Sequence, residues 1–426
     1  MTNETLAQAF SRLAAESKAA YEGSPFSALS RDFFSRFSRD PSAVPAASET
    51  QIDRSWTVVI PTDASDLCQL MAKHLVDFLT RCMATPLRLE RRAISSAQPH
   101  TLTLMDRDGG QSGKPESFTL RTERDRVLVS GIDPAGLRDG VVKLVDLIGF
   151  RQAPILSRFT QVFLPRLAVR LGVTPWLGSY RELVFLGHNA VLLSSEDFFG
   201  LSTSDAIPEL AVRRNSKVLQ KIAAAAREAK LYGLKTYVCL STVKKFPKDD
   251  AVFRSHPGIR GAQVWKADGE YILCTEHALV QRWMAESLAG LFRAVPDLDG
   301  VNIIIGGEGF YHCFMRPYGT AKGHTNCSRC EPLGAEIVVS NLCNRLAQVA
   351  REVKATAEVV AWPYSAVAVW SVEPAELPFI SKLQSGIALL TEPEKDETVT
   401  TPEGVSKVLW DYSIHLIGPG VRAKQQ

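Results

Sequence analysis

Two kinds of hydrophobic pattern alternate along the chain from Arg166 onward. Short apolar runs predict six strands, at Leu167–Val173, Ala190–Ser194, Lys235–Leu240, Val301–Ile305, Glu358–Trp362 and Ile387–Leu390. Between them, stretches with apolar residues at every third or fourth position predict helices, clearest at Lys217–Tyr232, Thr275–Phe292 and Glu336–Lys354. Repeated strand–helix units are typical of a parallel sheet, and this unbroken pattern favours a (β/α)-barrel.

The number of predicted strands is lower than a closed barrel needs. Such a barrel has eight strands, and an open one leaves two unpaired edges, which favour aggregation. The sequence stops at GPGVRAKQQ, which resembles the start of another helix. We therefore expect an incomplete (β/α)8-type barrel over residues 161–426, in a chain that lacks about two strand–helix units. A smaller open α/β sheet is the alternative.

The first 160 residues show a different organisation. Residues 1–50 predict a helical lead-in that ends in the linker DPSAVPAASET. Residues 51–160 predict a small α/β domain, with one helix capped by Asp63 or Ser65 and another over Pro134–Ile148. Its predicted strands are Trp56–Ile60, Thr101–Met105, Phe118–Thr122 and Arg126–Ser130.

Composition and charge exclude several classes of function. A net charge of +3, without a long basic run, argues against a nucleic-acid partner. The sequence lacks an apolar run long enough to cross a membrane, and its first residues do not resemble a secretory signal. Eight cysteines, mostly single residues within apolar patterns, favour a reducing compartment and hence the cytoplasm. An exported protein whose signal is missing is the alternative.

The most informative segment is DGVNIIIGGEGFYH at residues 299–312. A buried β-branched run ends in two glycines and one carboxylate, Glu308, followed by the aromatic residues Phe310 and Tyr311 and by His312. Polar groups at the carboxyl ends of parallel strands carry the chemistry of α/β enzymes. Aromatic neighbours suit a sugar-like ligand and favour the neutral form of the acid. The alternative is an ordinary loop with a solvated glutamate.

The segment ESFTLRTERDRVLVSGIDPAGLRDGVVKLVDLIG, followed by PRLAVR, resembles the non-catalytic domain that precedes the barrel in family 20 glycoside hydrolases, the β-N-acetylhexosaminidases. Related α-glucuronidases carry a similar domain. The matching positions are Gly131, Gly136, Leu137, Pro165, Arg166 and Arg170. The resemblance implies that residues 51–160 form this domain and that a (β/α)-barrel follows.

The same resemblance implies a role for Glu308. In the family, the fourth barrel strand ends in an Asp-Glu pair, whose Glu is the general acid/base and whose Asp positions the substrate's acetamido group. Here the pair is Gly307 and Glu308, and LAVRLGVTPW lacks the family's Asp-x-x-Arg in the first strand. The resemblance therefore implies a glycosidase that cleaves O-glycosidic bonds with Glu308 as general acid. A catalytically inactive carbohydrate-binding protein on the same scaffold is the alternative.

Glycoside hydrolysis usually needs a second carboxylate. Candidates at other strand ends are Asp197, Asp411 and Glu392, and each is also readable as a loop carboxylate. Side chains that could contact a sugar are Trp176, Tyr311, His312, Trp362, Tyr364 and Tyr412. Catalysis of this kind requires no cofactor, and the predicted partner is a carbohydrate substrate.

A second cluster suggests a metal site. Cys327 and Cys330 form a CxxC motif, and Cys313 and His324 lie shortly before it. Zinc takes four sulfur or nitrogen ligands, and CxxC supplies two from one tight turn. The sequence predicts a structural zinc site of Cys313, His324, Cys327 and Cys330 that holds the loop after the fourth strand. Free thiols packed in that loop are the alternative.

Overall fold

The computed structural model describes residues 12, 15, 16, 32–94, 98–107, 113–173, 179–241, 245–264, 269–306, 312–363, 369–371, 377–390, 398–400, 404 and 406–408. The chain divides into two compact units. The first comprises Met1–Leu192 with Arg227–Lys235, and the second comprises Leu193–Ala226 with Thr236–Gln426.

The amino-terminal part of the chain folds around a mixed sheet. Its strands are β1 (Glu49–Gln51), β2 (Thr57–Ile60), β3 (Arg88–Arg91), β4 (Thr101–Met105), β5 (Phe118–Thr122), β6 (Arg126–Gly131), β7 (Ile155–Ser157) and β8 (Phe159–Phe163). The order in the main sheet is β3-β2-β4-β6-β5-β8, and β1 pairs with β7 separately. The helices are α1 (Asp66–Arg81), α2 (Pro134–Arg151) and α3 (Tyr180–Phe185). A 3-10 turn lies at Phe33–Arg36.

Local sequence signals explain the start of both long helices. The Ser65 hydroxyl accepts a hydrogen bond from the Cys68 amide, and Asp133 caps α2 in the same way through the Gly136 amide, at 2.7 Å. Pro134 occupies the first turn of α2, where its missing N–H is not needed. Helix α1 buries one apolar face, which includes Met71, Leu75, Phe78 and Leu79.

Two glycines of the family-like segment are required by close backbone approach. A Cβ at Gly136 would collide with the Ser117 carbonyl, and one at Gly131 would collide with the Leu137 amide. Both glycines lie at the junction where β6 leads into α2. At these two positions the strand and helix therefore pack too tightly for a side chain.

A network of paired charges, with one fully buried member, lies in the same region. Arg138 has no exposed surface, and its guanidinium lies 2.8 Å from the Asp139 carboxylate and donates to the Gly233 carbonyl, also at 2.8 Å. Arg170 lies 2.7 Å from Asp139 and 3.1 Å from Glu116. Because each buried charge has an opposite charge beside it, the network avoids the cost of a lone buried ion.

The remaining strands are β9 (Leu171–Val173), β10 (Ala190–Asp197), β11 (Lys235–Ser241), β12 (Phe246–Pro247), β13 (Arg260–Gln263), β14 (Glu270–Leu273), β15 (Gly300–Ile304), β16 (Glu358–Trp362), β17 (Ile387–Leu389), β18 (Thr398–Thr400) and β19 (Ser406–Val408). The helices are α4 (Phe198–Leu201), α5 (Ser216–Leu231), α6 (Ala251–Ser255), α7 (Ala278–Ala294), α8 (Ala335–Val353) and α9 (Leu377–Ile380). Short 3-10 turns lie at Pro208–Arg213, Pro257–Ile259 and Glu331–Leu333.

A six-stranded sheet forms half a barrel. Its order is β17-β16-β15-β11-β10-β9, so the strands succeed one another in chain order. The pairs β9–β10, β11–β15, β15–β16 and β16–β17 are parallel. The predicted incomplete (β/α)-barrel is therefore confirmed. The same part of the chain carries an antiparallel insert, β12-β14-β13, and a β18–β19 hairpin.

Several elements differ from the prediction. The first barrel strand is only Leu171–Val173, and the Arg170 amide before it donates to the Asn189 side chain at 2.6 Å instead of to a strand carbonyl. The edge strands β3 and β8 and the insert were not predicted, since short runs of mixed polarity carry little periodic signal. In the part of the chain that the structure describes, no helix is long and apolar enough to span a membrane.

Candidate active site at the end of the fourth strand

Strand β15 is the fourth strand of the half-barrel and carries the predicted functional segment. It lies between β11 and β16, and the side chains of Val301 and Ile303 are fully buried. The strand ends at Ile304, four residues before Glu308 in the sequence. Residues 307–311, with Glu308 and Tyr311, lie outside the described residues. The structure therefore describes this site through the residues on either side of the segment, Ile305 and His312.

Three hydrogen bonds hold the residue that precedes the Gly-Gly-Glu segment. The Ile305 amide donates to the Trp362 carbonyl on β16, at 2.9 Å. The Ile305 carbonyl oxygen accepts from the indole Nε1 of Trp370, at 2.7 Å, and lies 3.0 Å from Nε2 of His312. A carbonyl can only accept, so Nε2 of His312 carries the proton. One of these bonds joins Ile305 directly to His312, which lies on the other side of the Gly-Gly-Glu segment in the sequence.

His312 supports the carboxyl-terminal flank of the Glu308 segment. Its side chain has no exposed surface and packs edge-on against Trp370, with ring centroids 5.8 Å apart. Burial lowers the pKa of His312 to about 4, so the ring is neutral near pH 7. The sequence predicted that His312 contacts sugar. The structure instead gives it backbone and indole contacts, and a fully buried ring offers a ligand no surface.

Further bonds extend the support beyond His312. The Met315 amide donates to the His312 carbonyl at 2.9 Å. The Thr325 hydroxyl donates to the Cys313 carbonyl at 2.5 Å, and both residues are buried. The carboxyl-terminal flank of the Glu308 segment is thus anchored at consecutive residues.

The other predicted site residues lie in separate places. Asp197 is the last residue of β10, and its carboxylate caps α4 by accepting from the Phe199 amide at 3.4 Å. Trp362 ends β16, is half-buried and lies opposite Ile304 in the sheet register. The remaining predicted residues fall outside the described residues: Trp176, Tyr364, Glu392, Asp411 and Tyr412. Trp370 was missed, because no sequence pattern indicates that its indole reaches Ile305.

The cysteine cluster differs from the predicted one in a single member. The sulfur atoms of Cys274, Cys313, Cys327 and Cys330 all lie within 4.8 Å of one another. His324 instead faces Glu331, with Nδ1 and Oε1 2.7 Å apart, and its side chain is 62 % exposed. This pairing lowers the pKa of the Glu331 carboxyl. Sequence analysis missed Cys274 because it follows β14, and the fold alone brings that strand to the later loop.

Neither a family model nor a curated protein sequence matches the chain. Solved structures do match it. The GH20 β-N-acetylhexosaminidase of Streptomyces coelicolor A3(2) is 14 % identical, with a TM-score of 0.54, over 89 % of this chain and 80 % of that enzyme. The fold is that of the GH20 enzymes.

Two further solved structures have a similar fold. The N-acetyl-β-hexosaminidase of Streptomyces plicatus is 16 % identical, with a TM-score of 0.51, over 88 % of this chain and 78 % of that enzyme. A GH138 enzyme that targets pectin rhamnogalacturonan II is 13 % identical, with a TM-score of 0.51, over 80 % of this chain and 38 % of that enzyme. The GH20-like fold of this chain is therefore shared with an enzyme of another glycosidase family.

Proposed function

We propose that the protein hydrolyses O-glycosidic bonds of a carbohydrate substrate, with Glu308 as the general acid. One observation carries the proposal: the fourth strand of a GH20-like half-barrel ends four residues before Glu308, and the flanks of that segment are joined through the Ile305 carbonyl. Active sites of (β/α)-barrels lie at the carboxyl ends of the strands.

A general acid must hold its proton when the substrate binds. The apolar neighbours of Glu308 in sequence, Phe310 and Tyr311, favour the neutral carboxyl, because a charged group is destabilised in an apolar environment. Protonation of the glycosidic oxygen by this group would assist departure of the leaving sugar.

Gly307 argues for a protein carboxylate as the second group. In substrate-assisted hydrolysis, a neighbouring Asp orients the substrate's acetamido group, and Gly307 has no side chain for that task. Asp197, at the end of β10, is our candidate for the second carboxylate among the described residues. We therefore propose a glycoside without an obligatory acetamido group as substrate.

Leaving-group dependence tests the role of Glu308. Aryl glycosides with poor and good leaving groups are compared for the wild type, Glu308→Gln and the control Glu352→Gln, whose site is exposed on α8. Loss of a general acid lowers kcat/KM by about 10²- to 10⁴-fold for poor leaving groups. It has a smaller effect on good ones, which need no proton. A uniform loss, or no loss, contradicts the role.

The second candidate is a catalytically inactive carbohydrate-binding protein, which Gly307 also favours. The same glycoside panel distinguishes it. Saturable binding of a sugar by the wild-type protein, without hydrolysis of any member, would replace the enzymatic proposal with the binding one.

A further inference from the structure

Four cysteines from three separate segments meet in the carboxyl-terminal half of the chain. Cys274 directly follows β14, Cys313 follows His312, and Cys327 and Cys330 lie in the turn before Glu331–Leu333. Their exposed fractions are 0 %, 0 %, 5 % and 0 %, respectively. Four buried thiols so close together indicate a role beyond hydrophobic packing.

The sulfur–sulfur distances suit one metal ion. Cys274 and Cys330 have their Sγ atoms 3.5 Å apart, and Cys274 and Cys327 have theirs 3.8 Å apart. A tetrahedral zinc ion with Zn–S bonds of about 2.3 Å places its ligands about 3.8 Å from one another. All four sulfurs lie within 4.8 Å of one another, and the four cysteines are free thiols.

The backbone around the cluster is arranged for close packing of thiolates. The Cys330 and Glu331 amides both donate to the Cys327 carbonyl, at 3.1 and 2.9 Å, which forms the tight turn of the CxxC motif. At Gly261, an added Cβ would lie 2.8 Å from the Cys313 sulfur and 3.0 Å from the Cys274 amide nitrogen. Strand β13 therefore approaches the cluster at a position without a side chain.

A cation lies beside the sulfurs. The Arg329 guanidinium donates to the Gly258 carbonyl at 3.3 Å, and its proximity to Cys274 raises the pKa of Arg329. A zinc ion with four thiolates carries a net charge of −2, since each cysteine loses its thiol proton on binding. A guanidinium in contact with one ligand offsets part of this charge.

We propose that Cys274, Cys313, Cys327 and Cys330 bind one structural Zn²⁺ ion. Four thiolates fill the tetrahedral coordination of zinc and leave no open position for water or substrate, which is typical of a structural site. The proposal goes beyond the proposed glycosidase function and does not depend on it.

The site would link two parts of the same unit. Cys274 belongs to the insert of strands β12–β14, whereas Cys313 lies five residues after Glu308 and next to His312. Zinc would thus fix the carboxyl-terminal flank of the Glu308 segment to the insert. The metal would act by positioning that segment and not by contacting substrate.

Metal analysis of the full-length protein, grown with zinc and purified without chelators, tests the proposal. We expect about one zinc per chain in the wild type, and a loss of zinc in Cys274→Ser and in the double variant Cys327→Ser/Cys330→Ser. His324→Ala should keep its zinc, because His324 faces Glu331. Cys82→Ser is the matched control, since Cys82 bonds to the Phe34 carbonyl outside the cluster.

The wild-type protein also provides a readout that is independent of folding of the variants. Replacement of the metal by Co²⁺ should give the absorption of tetrahedral cobalt with thiolate charge transfer. Wild-type protein without zinc, iron in its place, or full zinc in Cys274→Ser would overturn the proposal. Retention of zinc by His324→Ala, with loss in Cys274→Ser, would establish the four-cysteine set.

Discussion

At the scale of single residues, the Ile305 carbonyl is the point that organises the proposed site. It accepts hydrogen bonds from two buried side chains, Trp370 at 2.7 Å and His312 at 3.0 Å. The residue lies immediately before the Gly-Gly-Glu segment, so any movement of its backbone would be transmitted to Glu308. If Glu308 is the general acid, as we propose, these two donors act as positioning residues.

Trp370→Phe removes one of these bonds and keeps an aromatic ring. We expect it to lower kcat about tenfold with little change in KM, since only the placement of Glu308 is disturbed. It should also lower the free energy of unfolding by about 1–2 kcal/mol more than Trp283→Phe. Trp283 is a matched control, because it is equally buried and its indole nitrogen has no hydrogen-bond partner among the residues that the structure describes. Equal effects of the two substitutions would contradict the positioning role.

His74 makes the stability of the amino-terminal unit depend on pH. The ring lies between Tyr232 and Phe185, with centroid distances of 6.0 and 5.9 Å, and its buried Nε2 has no partner among the described residues. Burial, assisted by the nearby Arg181, lowers the pKa of His74 from 6.5 to about 4. The unfolded chain therefore takes up a proton from pH 6.5 downward, whereas the native state does so only near pH 4.

The free energy of unfolding should accordingly fall as the pH is lowered from 6.5 toward 4. Between pH 7 and pH 5.5, His74 accounts for about 1 kcal/mol of this loss. His74→Leu should remove that part, which urea unfolding at the two pH values would measure. A variant with the same pH dependence as the wild type would show that folding does not lower the pKa of His74.

Single residues also mark the limits of prediction from sequence. Glu308, Cys313, Cys327 and Cys330 are candidates from the sequence alone, because their residue types and spacing imply chemistry. Cys274 and Trp370 were not, because their partners lie 39 or more and 65 residues away along the chain. The contacts of His312 were also beyond the sequence, which indicates an imidazole near the acid but not that the ring is buried against the Ile305 carbonyl.

At the scale of elements, the junction between β6 and α2 explains why this segment has glycines at positions 131 and 136. A Cβ at Gly136 would meet the carbonyl oxygen of Ser117, which is rigid backbone. The Asp133 cap fixes the helix at the same point, so the helix cannot shift to relieve the collision.

Gly136→Ala should therefore lower the free energy of unfolding by at least about 2 kcal/mol, although alanine is the better helix former. The matched change is Gly200→Ala in α4, where an added Cβ meets nothing within 4 Å and little effect is expected. Thermal unfolding of both variants provides the comparison. A Gly136→Ala protein as stable as the wild type would mean that β6 and α2 are not packed this closely.

Elements with a strong period were predicted most accurately. Strand β16 has the predicted bounds, and α5 and α8 begin and end within one residue of them. Periodic burial on a long helix leaves a clear trace in the sequence. The insert β12–β14 leaves none, because its strands are two to four residues long and pair across a loop. Cys274, which completes the cysteine cluster, thus follows the insert whose strands the sequence did not predict.

At the scale of the whole molecule, the order of strands and helices along the chain predicted the fold most reliably. Six strand–helix units in sequence produced six strands in the same order in the sheet, because each parallel crossover places the next strand beside the last. The GH20-like fold follows from this order at only 14 % identity to the Streptomyces coelicolor enzyme. A shared pattern of burial can maintain a fold at such low identity, but it carries no information about which side chains act on a substrate.

The fold and the activity are therefore separate questions, and the central claim concerns the activity. Turnover of a poor-leaving-group glycoside by Glu308→Gln, relative to wild type, with sugar binding measured in parallel, tests that claim most directly. We predict that kcat/KM falls by about 10²- to 10⁴-fold while the dissociation constant for the sugar changes little. Unchanged turnover in Glu308→Gln would contradict the assignment of Glu308 as the general acid.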